Sequence, residues 1–382
     1  MSKLKEALRE AMDKDRTLAQ SLAKVAGYSN PTPIYKFVNH PAREFQSFAT
    51  LLKVTEAAFP DRIFELMETY IPSLDVNGKN ARYALEYTSI EMQHLHDQHI
   101  ERMLDASNAE SVIYAQYYKI MQQMKVQLSP DEDMVKNISK LPAPTDETYT
   151  LKYISMAYLF AHEGEHSLFT LCSKLAYKSI AFLTEEYMAE SYKMRIHVLL
   201  GVSYTQLNQL EKARHYLKQL YDIHRPALQS WFSLHMGRSY LFSDFQKAEN
   251  YFTEGMNNPY SLERFVSLNK RSANLLYSYW GVNKHYSLDE SLPVNQLSHV
   301  IYLISQKKHN DSVQKIKSLN TNALSEWDRA TLYYFQYRMT EDDSFLYQAI
   351  AECKRCNEWH FRSVCIKELT HLNPHLREAL EV

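Results

Sequence analysis

Glycine is scarce in this chain, with 7 residues among 382. Glycine supplies left-handed turns, β-bulges and the loops that wrap around phosphate groups. The sequence also contains neither the GxGxxG pattern of dinucleotide-binding folds nor the GxxxxGK(S/T) pattern of phosphate-binding loops. These absences argue against a β-rich fold and against a nucleotide-dependent enzyme, and we expect no cofactor.

Long apolar runs are also missing. No segment approaches the ~18 consecutive apolar residues that cross a bilayer, and the start, MSKLKEALREAMDKD, lacks the apolar centre of a signal peptide. The four cysteines are too few and too clustered for the disulfide framework of a secreted domain. We therefore expect a soluble cytoplasmic protein that has no membrane partner.

Two stretches contain the residue types that bind zinc. Cys353 and Cys356 lie close to His360 and Cys365, and residues 162–166 read HEGEH, which matches the HExxH pattern of zinc hydrolases. The first set would come from one short helical stretch, and the second has no evident third ligand. We predict no metal site and no catalytic residues, and we expect that the protein is not an enzyme.

Apolar residues recur at helical spacing along nearly the whole chain, and most of the 12 prolines lie between such runs. This pattern predicts an all-α protein of many short helices. Two stretches, about 35 residues apart, also share the residue order of a tetratricopeptide repeat. The matching residues are Leu200, Gly201, Tyr204, Ala213 and Leu217, then Met236, Gly237, Tyr240, Ala248 and Phe252.

Each residue of this repeat has a packing role. The small residues let two helices approach closely, and the aromatic and large apolar residues fill the space beside them. Such units stack into a solenoid, a superhelix whose concave wall suits an extended peptide or a partner helix. The repeats therefore point to binding rather than to catalysis.

Residues 26–40, AGYSNPTPIYKFVNH, differ from the rest because they contain two prolines and a glycine within eight positions. Thr17 is predicted to cap a preceding helix, Gly27 to make a left-handed turn, and Thr32 to cap the next helix. That second helix would bury Ile34 and Phe37 or Val38. We predict an N-terminal helix-turn-helix, with a helical hairpin that merely caps the solenoid as the alternative.

The second helix has the side chains that a recognition helix needs. Asn30 and Thr32 would lie at its N-terminus near base edges or phosphates, Lys36 and Arg43 would face the DNA backbone, and Asn39 shares the exposed face. Residues 1–50 carry eight Lys or Arg and five Asp or Glu, a net charge of +3 that suits a module beside phosphates.

Several blocks of the sequence resemble one family. The blocks are VAGYSNPTPIYKFVNH (25–40), FPDRIFELMETY (59–70), LDVNGKNARYALEY (74–87) and RIHVLL (195–200). They resemble the AimR family, the arbitrium receptors of temperate Bacillus phages such as SPbeta. This family belongs to a wider class of peptide sensors built from a helix-turn-helix and tetratricopeptide-like repeats.

The resemblance implies a homodimeric transcriptional activator in the cytoplasm of a bacterial host. It would bind a double-stranded operator upstream of a phage locus, and a signal peptide of about six residues would prevent activation and favour lysogeny. The implied domains are a helix-turn-helix at 1–50 and a peptide-binding, dimerising repeat domain at 51–382. Helices at about 360–382 would form the dimer contact.

The resemblance also implies site residues. For DNA it supports Asn30, Lys36, His40 and Arg43 and adds Arg82, beside the Thr32 and Asn39 predicted above. For the peptide it implies Val202, Gln206, Arg238, Asn274, Gln296 and Glu358, where Val202 and Arg238 replace groove asparagines of better-known members. For the dimer it favours Leu369, Leu372, Leu376 and Leu380.

A second hypothesis stays open at this point. The chain could be a repeat scaffold or a phosphatase-type peptide sensor that acts on a response regulator or another protein without binding DNA. Its N-terminal helices would then bind a protein instead of DNA.

Overall fold

The computed structural model describes residues 2–126, 132–162, 165–221, 226–259, 261 and 263–372. All regular secondary structure within these ranges is helical, which confirms the predicted all-α fold. The chain divides by packing into two compact units, residues 1–196 and residues 197–382. The functional domains predicted at 1–50 and 51–382 remain predictions.

The first unit contains eleven complete helices within its described residues, and a twelfth continues past its end. They are α1 Lys3–Lys14, α2 Leu18–Val25, α3 Thr32–Asn39, α4 Phe48–Ala58, α5 Ile63–Tyr70, α6 Lys79–Glu91, α7 Gln93–Leu104, α8 Ala109–Val126, α9 Glu132–Lys140, α10 Asp146–His162, α11 His166–Ile180 and α12 Glu186–Gln206. Short 3-10 turns cover Pro60–Arg62 and Ile71–Ser73.

The second unit contains nine further helices within its described residues. They are α13 Leu210–Lys218, α14 Pro226–Tyr240, α15 Phe245–Asn257, α16 Glu263–Trp280, α17 Pro293–Ser305, α18 His309–Ser318, α19 Glu326–Thr340, α20 Ser344–Arg355 and α21 Trp359–Leu372, with a 3-10 turn at Thr321–Ala323. From α13 to α21, helices pack mainly against their neighbours along the chain. This is the packing of a helical-repeat solenoid.

The turn between α2 and α3 is built around one glycine. Gly27 has a φ of +75°, and the Tyr28 N–H donates to the Ala23 carbonyl at 2.8 Å. This arrangement ends α2 because the left-handed residue turns the chain away from the helix axis. The predicted left-handed turn at Gly27 is therefore confirmed.

The predicted helix caps were wrong in detail. The Thr17 hydroxyl donates to Asp15 Oδ1 at 2.7 Å and caps no backbone N–H of α2. Thr32 is the first residue of α3, and its own N–H donates to Asn30 Oδ1 at 3.0 Å. In both places the Asp or Asn two residues earlier accepts the hydrogen bond. Its side chain is short, so its oxygen reaches the backbone N–H two positions on.

Helix α3 buries one face and exposes the other. Ile34, Phe37 and Val38 are at most 1% exposed, as predicted. Val25, at the end of α2, is 45% exposed and does not contribute to the core. Helix α2 instead packs through its buried residues Ala19, Leu22 and Ala23.

The two repeats of the second unit pack as their sequence predicts. A Cβ atom added to Gly201 would lie 2.5 Å from Leu217 Cδ2, and one added to Gly237 would lie 2.5 Å from Phe252 Cε1. Leu217 and Phe252 are both fully buried. The glycines are thus required for the close approach of α12 to α13 and of α14 to α15.

Aromatic rings repeat with the same period. The Tyr204 and Tyr216 rings stack at a centroid distance of 5.7 Å, and the Tyr240 and Tyr251 rings stack at 6.0 Å. The Arg214 guanidinium lies over the Tyr240 ring at 3.8 Å and so joins the first repeat to the second. No helix within the described residues is long and apolar enough to cross a membrane.

Candidate functional site

A cavity of about 290 Å³ lies within the second unit. Its walls come from α12, α14, α16, α17, α19 and α21, with the loops that follow α14 and precede α21. The apolar part of the wall includes Leu241, Phe242, Leu275, Leu297, Ile301 and Trp327. An apolar pocket with a few convergent polar groups is the usual form of a ligand site.

The polar part of the wall carries both signs of charge. Arg238 and Arg271 line it as cations, and Asp328 and Glu358 line it as acids. The Arg238 Nε donates to Ser272 Oγ at 3.3 Å, which orients the guanidinium. The cavity can therefore pair with an anionic group and a cationic group of one ligand.

Burial shifts the pKa values of Arg238 and Glu358. Burial and the neighbouring Arg271 lower the pKa of Arg238 to about 10, although Glu358 and Asp328 oppose the shift. Burial raises the pKa of Glu358 to about 7, against a backbone hydrogen bond and the attraction of Arg238. Because these charges are poorly solvated, an oppositely charged ligand would stabilise them strongly.

Two histidines at the wall are neutral at physiological pH. Burial and Arg238 lower the pKa of His235 to about 3, and burial and Arg214 lower the pKa of His360 to about 4. Among the residues that the structure describes, His235 Nε2 has no hydrogen-bond partner. A buried ring nitrogen without a partner favours a ligand that supplies one.

The structure brings four of the six predicted peptide residues to this cavity. Val202, Gln206, Arg238 and Glu358 line it. Asn274 lies behind the wall, where it donates to Ser298 Oγ at 3.1 Å and accepts from the Tyr286 N–H at 2.6 Å.

Gln296 is not among the lining residues. Its side-chain amide instead donates to the Glu290 carbonyl at 2.8 Å, at the start of α17. The predicted peptide contact of Gln296 therefore stays a prediction that this cavity does not include. The same helix reaches the cavity through Val294, Leu297, Ser298 and Ile301, because only one face of a helix can point inward.

The sequence interpretation missed His235, Arg271 and Asp328. His235 had a signal, since it lies three residues before the predicted Arg238 on α14, whereas Arg271 has that spacing only to Asn274, which lies behind the wall. Residues three apart share a helix face. Asp328 had no such signal, because none of the predicted peptide residues lies on α19.

The predicted DNA-contacting residues of the N-terminal region share one surface feature, which is exposure. Thr32, Lys36 and Asn39 form a single exposed stripe along α3 together with Tyr35, which was not predicted to contact DNA. The remaining ones, Asn30, His40 and Arg43, are also exposed.

Arg82 differs from these residues. Its side chain is 11% exposed, its Nη2 lies 3.1 Å from Glu110 Oε2, and its Nη1 donates to the Asn77 carbonyl at 3.4 Å. An internal pairing of this kind satisfies the guanidinium within the first unit. The structure therefore disfavours the predicted phosphate contact of Arg82.

The predicted dimer residues fall into two groups. Leu369 is 1% exposed and belongs to the hydrophobic core that includes Tyr334, Phe361 and Cys365, so the structure disfavours it as a dimer contact. The side chain of Leu372 and the whole of Leu376 and Leu380 lie outside the described residues.

The zinc-like stretches show no metal site where they are described. Cys353 and Cys365 are fully buried, and within the described part of the chain no group of three or more His, Cys, Asp or Glu side chains could hold a metal ion. Most of the HEGEH stretch, including both histidine side chains, lies outside the described residues.

Comparisons with known proteins agree with this architecture. The chain is 26% identical over 362 residues to the AimR transcriptional regulator of Bacillus phage SPbeta, which covers 94% of this chain and 93% of that protein. Its fold is similar to the solved structure of SeMet-phAimR, with a TM-score of 0.79, 22% identity and 100% of both chains covered. A solved phAimR-Ligand structure is also similar, with a TM-score of 0.74 and 20% identity over 88% of this chain and 100% of that one.

A family model shows the wider relationship. The model described as AimR transcriptional regulator-like matches residues 63–371, which is most of the chain. The resemblance and the non-enzymatic character predicted from the sequence are thereby confirmed. The protein belongs to the AimR family of transcriptional regulators.

Proposed function

We propose that this protein is a DNA-binding transcriptional regulator whose activity is controlled by a short peptide. Its α3 face binds an operator upstream of a phage locus that controls the choice between lysis and lysogeny, and activates that locus. A phage-encoded peptide of about six residues binds the cavity of the second unit, stabilises a conformation that cannot activate, and favours lysogeny.

The mixed charge of the cavity is the observation that carries the peptide proposal. A free peptide always has a terminal carboxylate, and Arg238 and Arg271 offer two guanidinium groups to hold it. Glu358 and Asp328 offer carboxylates to a basic side chain of the peptide. A similar protein has been solved as phAimR-Ligand, and this supports a ligand-binding role for the present chain.

The exposed stripe of α3 supports the DNA proposal. Thr32, Tyr35, Lys36 and Asn39 project from one side of a helix whose other side is buried, as a recognition helix requires. Two copies of the chain would place two such helices on a two-fold operator, and residues 360–382 supply the proposed dimer contact through leucines beyond Leu369.

Calorimetry tests the peptide proposal. A synthetic copy of the short peptide encoded next to the gene is titrated into the wild-type chain and into Arg238→Gln. We expect Arg238→Gln to weaken binding by at least about tenfold, since a charge-assisted pair is lost. Arg355→Gln is the matched control, because Arg355 has a side chain that is 66% exposed and lies outside the cavity. Equal affinities of the two variants would contradict the proposal.

A gel-shift series tests the DNA proposal. The probe is the phage DNA immediately upstream of the gene, and binding is measured at several salt concentrations. Specific binding should weaken steeply as salt rises, because phosphate contacts release counterions. Absence of a specific, salt-sensitive complex would leave the protein-partner hypothesis as the better one.

A further inference from the structure

Lys5 is a buried cation in the N-terminal helix α1. Its side chain is 2% exposed, and its Nζ donates to the backbone carbonyls of His40 at 2.8 Å, Pro41 at 2.7 Å and Arg43 at 2.7 Å. An ammonium has three N–H donors, so each of them has an acceptor. Burial lowers the pKa of Lys5, and the charge of Glu44 opposes that shift.

These carbonyls lie at the end of α3 and in the segment that follows it. Carbonyls at the C-terminus of a helix lack intrahelical partners and carry partial negative charge, which a cation stabilises. The Lys5 ammonium also lies 4.6 Å from the centroid of the Phe37 ring, and that ring stacks on Phe45 at 4.1 Å. Lys5 therefore ties α3 and the chain after it to α1.

A second anchor fixes the other end of the same segment. Glu44 Oε1 accepts from the Asp75 N–H at 2.9 Å, and Glu44 Oε2 accepts from Asn80 Nδ2 at 2.9 Å. Asn80 Nδ2 also donates to the Phe45 carbonyl at 2.9 Å. Residues 40–45 are thus held by polar groups at both ends.

Two side chains of this segment point to solvent, away from Lys5. His40 and Arg43 are exposed, whereas their carbonyls turn inward to Lys5. Both side chains belong to the proposed DNA-binding surface. Lys5 itself is too buried to touch a phosphate.

We propose that Lys5 is a positioning residue for DNA binding, because its ammonium holds the His40–Arg43 backbone in the conformation that presents both side chains to the operator. This inference rests on the proposed function. It assigns a role in DNA binding to a residue that cannot contact DNA.

DNA affinity of full-length variants tests the inference. Binding of the labelled upstream DNA is measured by fluorescence anisotropy at several salt concentrations for Lys5→Met and for Lys3→Met. The control removes the same charge from the same helix, but Lys3 is exposed. We expect about a tenfold loss for Lys5→Met and less than about a twofold loss for Lys3→Met, since only Lys5 holds the segment.

A double-mutant cycle separates positioning from a general structural role. If Lys5 acts through Arg43, then Lys5→Met should cost much less when Arg43→Ala is already present. A change that merely loosens the fold would cost the same in both backgrounds. Lys5→Arg keeps the charge and its donors, and we expect it to bind within about threefold of wild type.

Each outcome has a distinct meaning. If wild type does not bind the DNA specifically, the proposed function and this inference both fall. If wild type binds and Lys5→Met equals Lys3→Met, or if the cycle is additive, only the inference is overturned. If Lys5→Met loses its helical circular dichroism, the same cycle is run with Lys5→Gln, which keeps two N–H donors.

Discussion

A buried ion pair in the first unit gives the sharpest stability prediction. Glu86 is fully buried, and its Oε1 accepts from Ser191 Oγ at 2.5 Å and from Arg195 Nε at 2.7 Å. Its Oε2 accepts from the Tyr118 hydroxyl at 2.5 Å and from Arg195 Nη2 at 2.9 Å. The carboxylate therefore has four hydrogen-bond donors and one paired charge.

Glu86→Gln keeps the shape of this side chain but removes its charge. Arg195, with a side chain only 8% exposed, would then be a buried cation without its counter-ion. Breaking a buried pair on one side costs about 3–5 kcal/mol of unfolding free energy. The matched control is Glu65→Gln, whose pair with Arg62 is half exposed on both sides, so solvent screens the pair and its loss should cost far less.

Site-resolved hydrogen exchange is the suitable assay. All four tryptophans lie within residues 231–359, so tryptophan fluorescence reports unfolding of the second unit. Exchange of the α6 and α8 amides reports unfolding of the first unit instead. Glu86→Gln should accelerate exchange in α6 and α8 far more than Glu65→Gln does. Equal protection of these amides in the two variants would refute the reasoning.

The same pair predicts a pH dependence with a defined sign. Burial alone would raise the pKa of Glu86, but Arg195 and the hydrogen bonds from Ser191 and Tyr118 hold it below its ordinary value of 4.5. A group whose pKa is lower in the folded state stabilises the fold above its unfolded pKa and loses that effect as pH falls. The stability gap between wild type and Glu86→Gln should therefore shrink as pH falls below about 4.5.

Three further predictions concern the repeats, the cavity and α3. Gly237→Ala would place a methyl carbon 2.5 Å from Phe252 Cε1. We expect the free energy of unfolding to fall by about 1–2 kcal/mol, because overpacking outweighs the gain in helix propensity. An unchanged midpoint of urea unfolding would contradict this. Since the pKa of Glu358 is about 7, a peptide with a basic side chain should bind more tightly in calorimetry as pH rises from about 6 to about 8, and Glu358→Gln should abolish that trend. Lys36→Glu should weaken operator binding by at least about tenfold in gel shifts, while Lys354→Glu, on an exposed residue of the second unit, should not.

The helical fold was predictable because its signals are local. A glycine on one helix and a large apolar residue on the next, as in Gly201 with Leu217, mark a close helix approach in the sequence itself. The caps were less predictable. Thr17 and Thr32 are good capping residues, but Asp15 and Asn30 lie two positions earlier and supply the oxygens instead.

The site was predictable only in part, because a cavity is assembled from distant helices. Arg238 and Glu358 came from a family resemblance, and the structure places both at one cavity wall. Arg271 and Asp328 complete the charge pattern, yet no short-range pattern links them to Arg238. Their contribution depends on which helix faces turn inward, and that is set by the stacking of the repeats.

Two cations of the first unit, Arg82 and Lys5, have partners inside the fold that the sequence did not reveal. Arg82 lies in a polar stretch and was predicted to meet a phosphate, but Glu110 pairs with it inside the fold. Lys5 attracted no prediction, because its partners are backbone carbonyls and carbonyls have no sequence signature. It does lie within the buried stripe of α1 beside Leu4 and Leu8. A lysine within an apolar stripe must find acceptors in the interior, since burying an unpaired ammonium is too costly. Such a lysine is therefore a signal that some loop backbone lies against that helix.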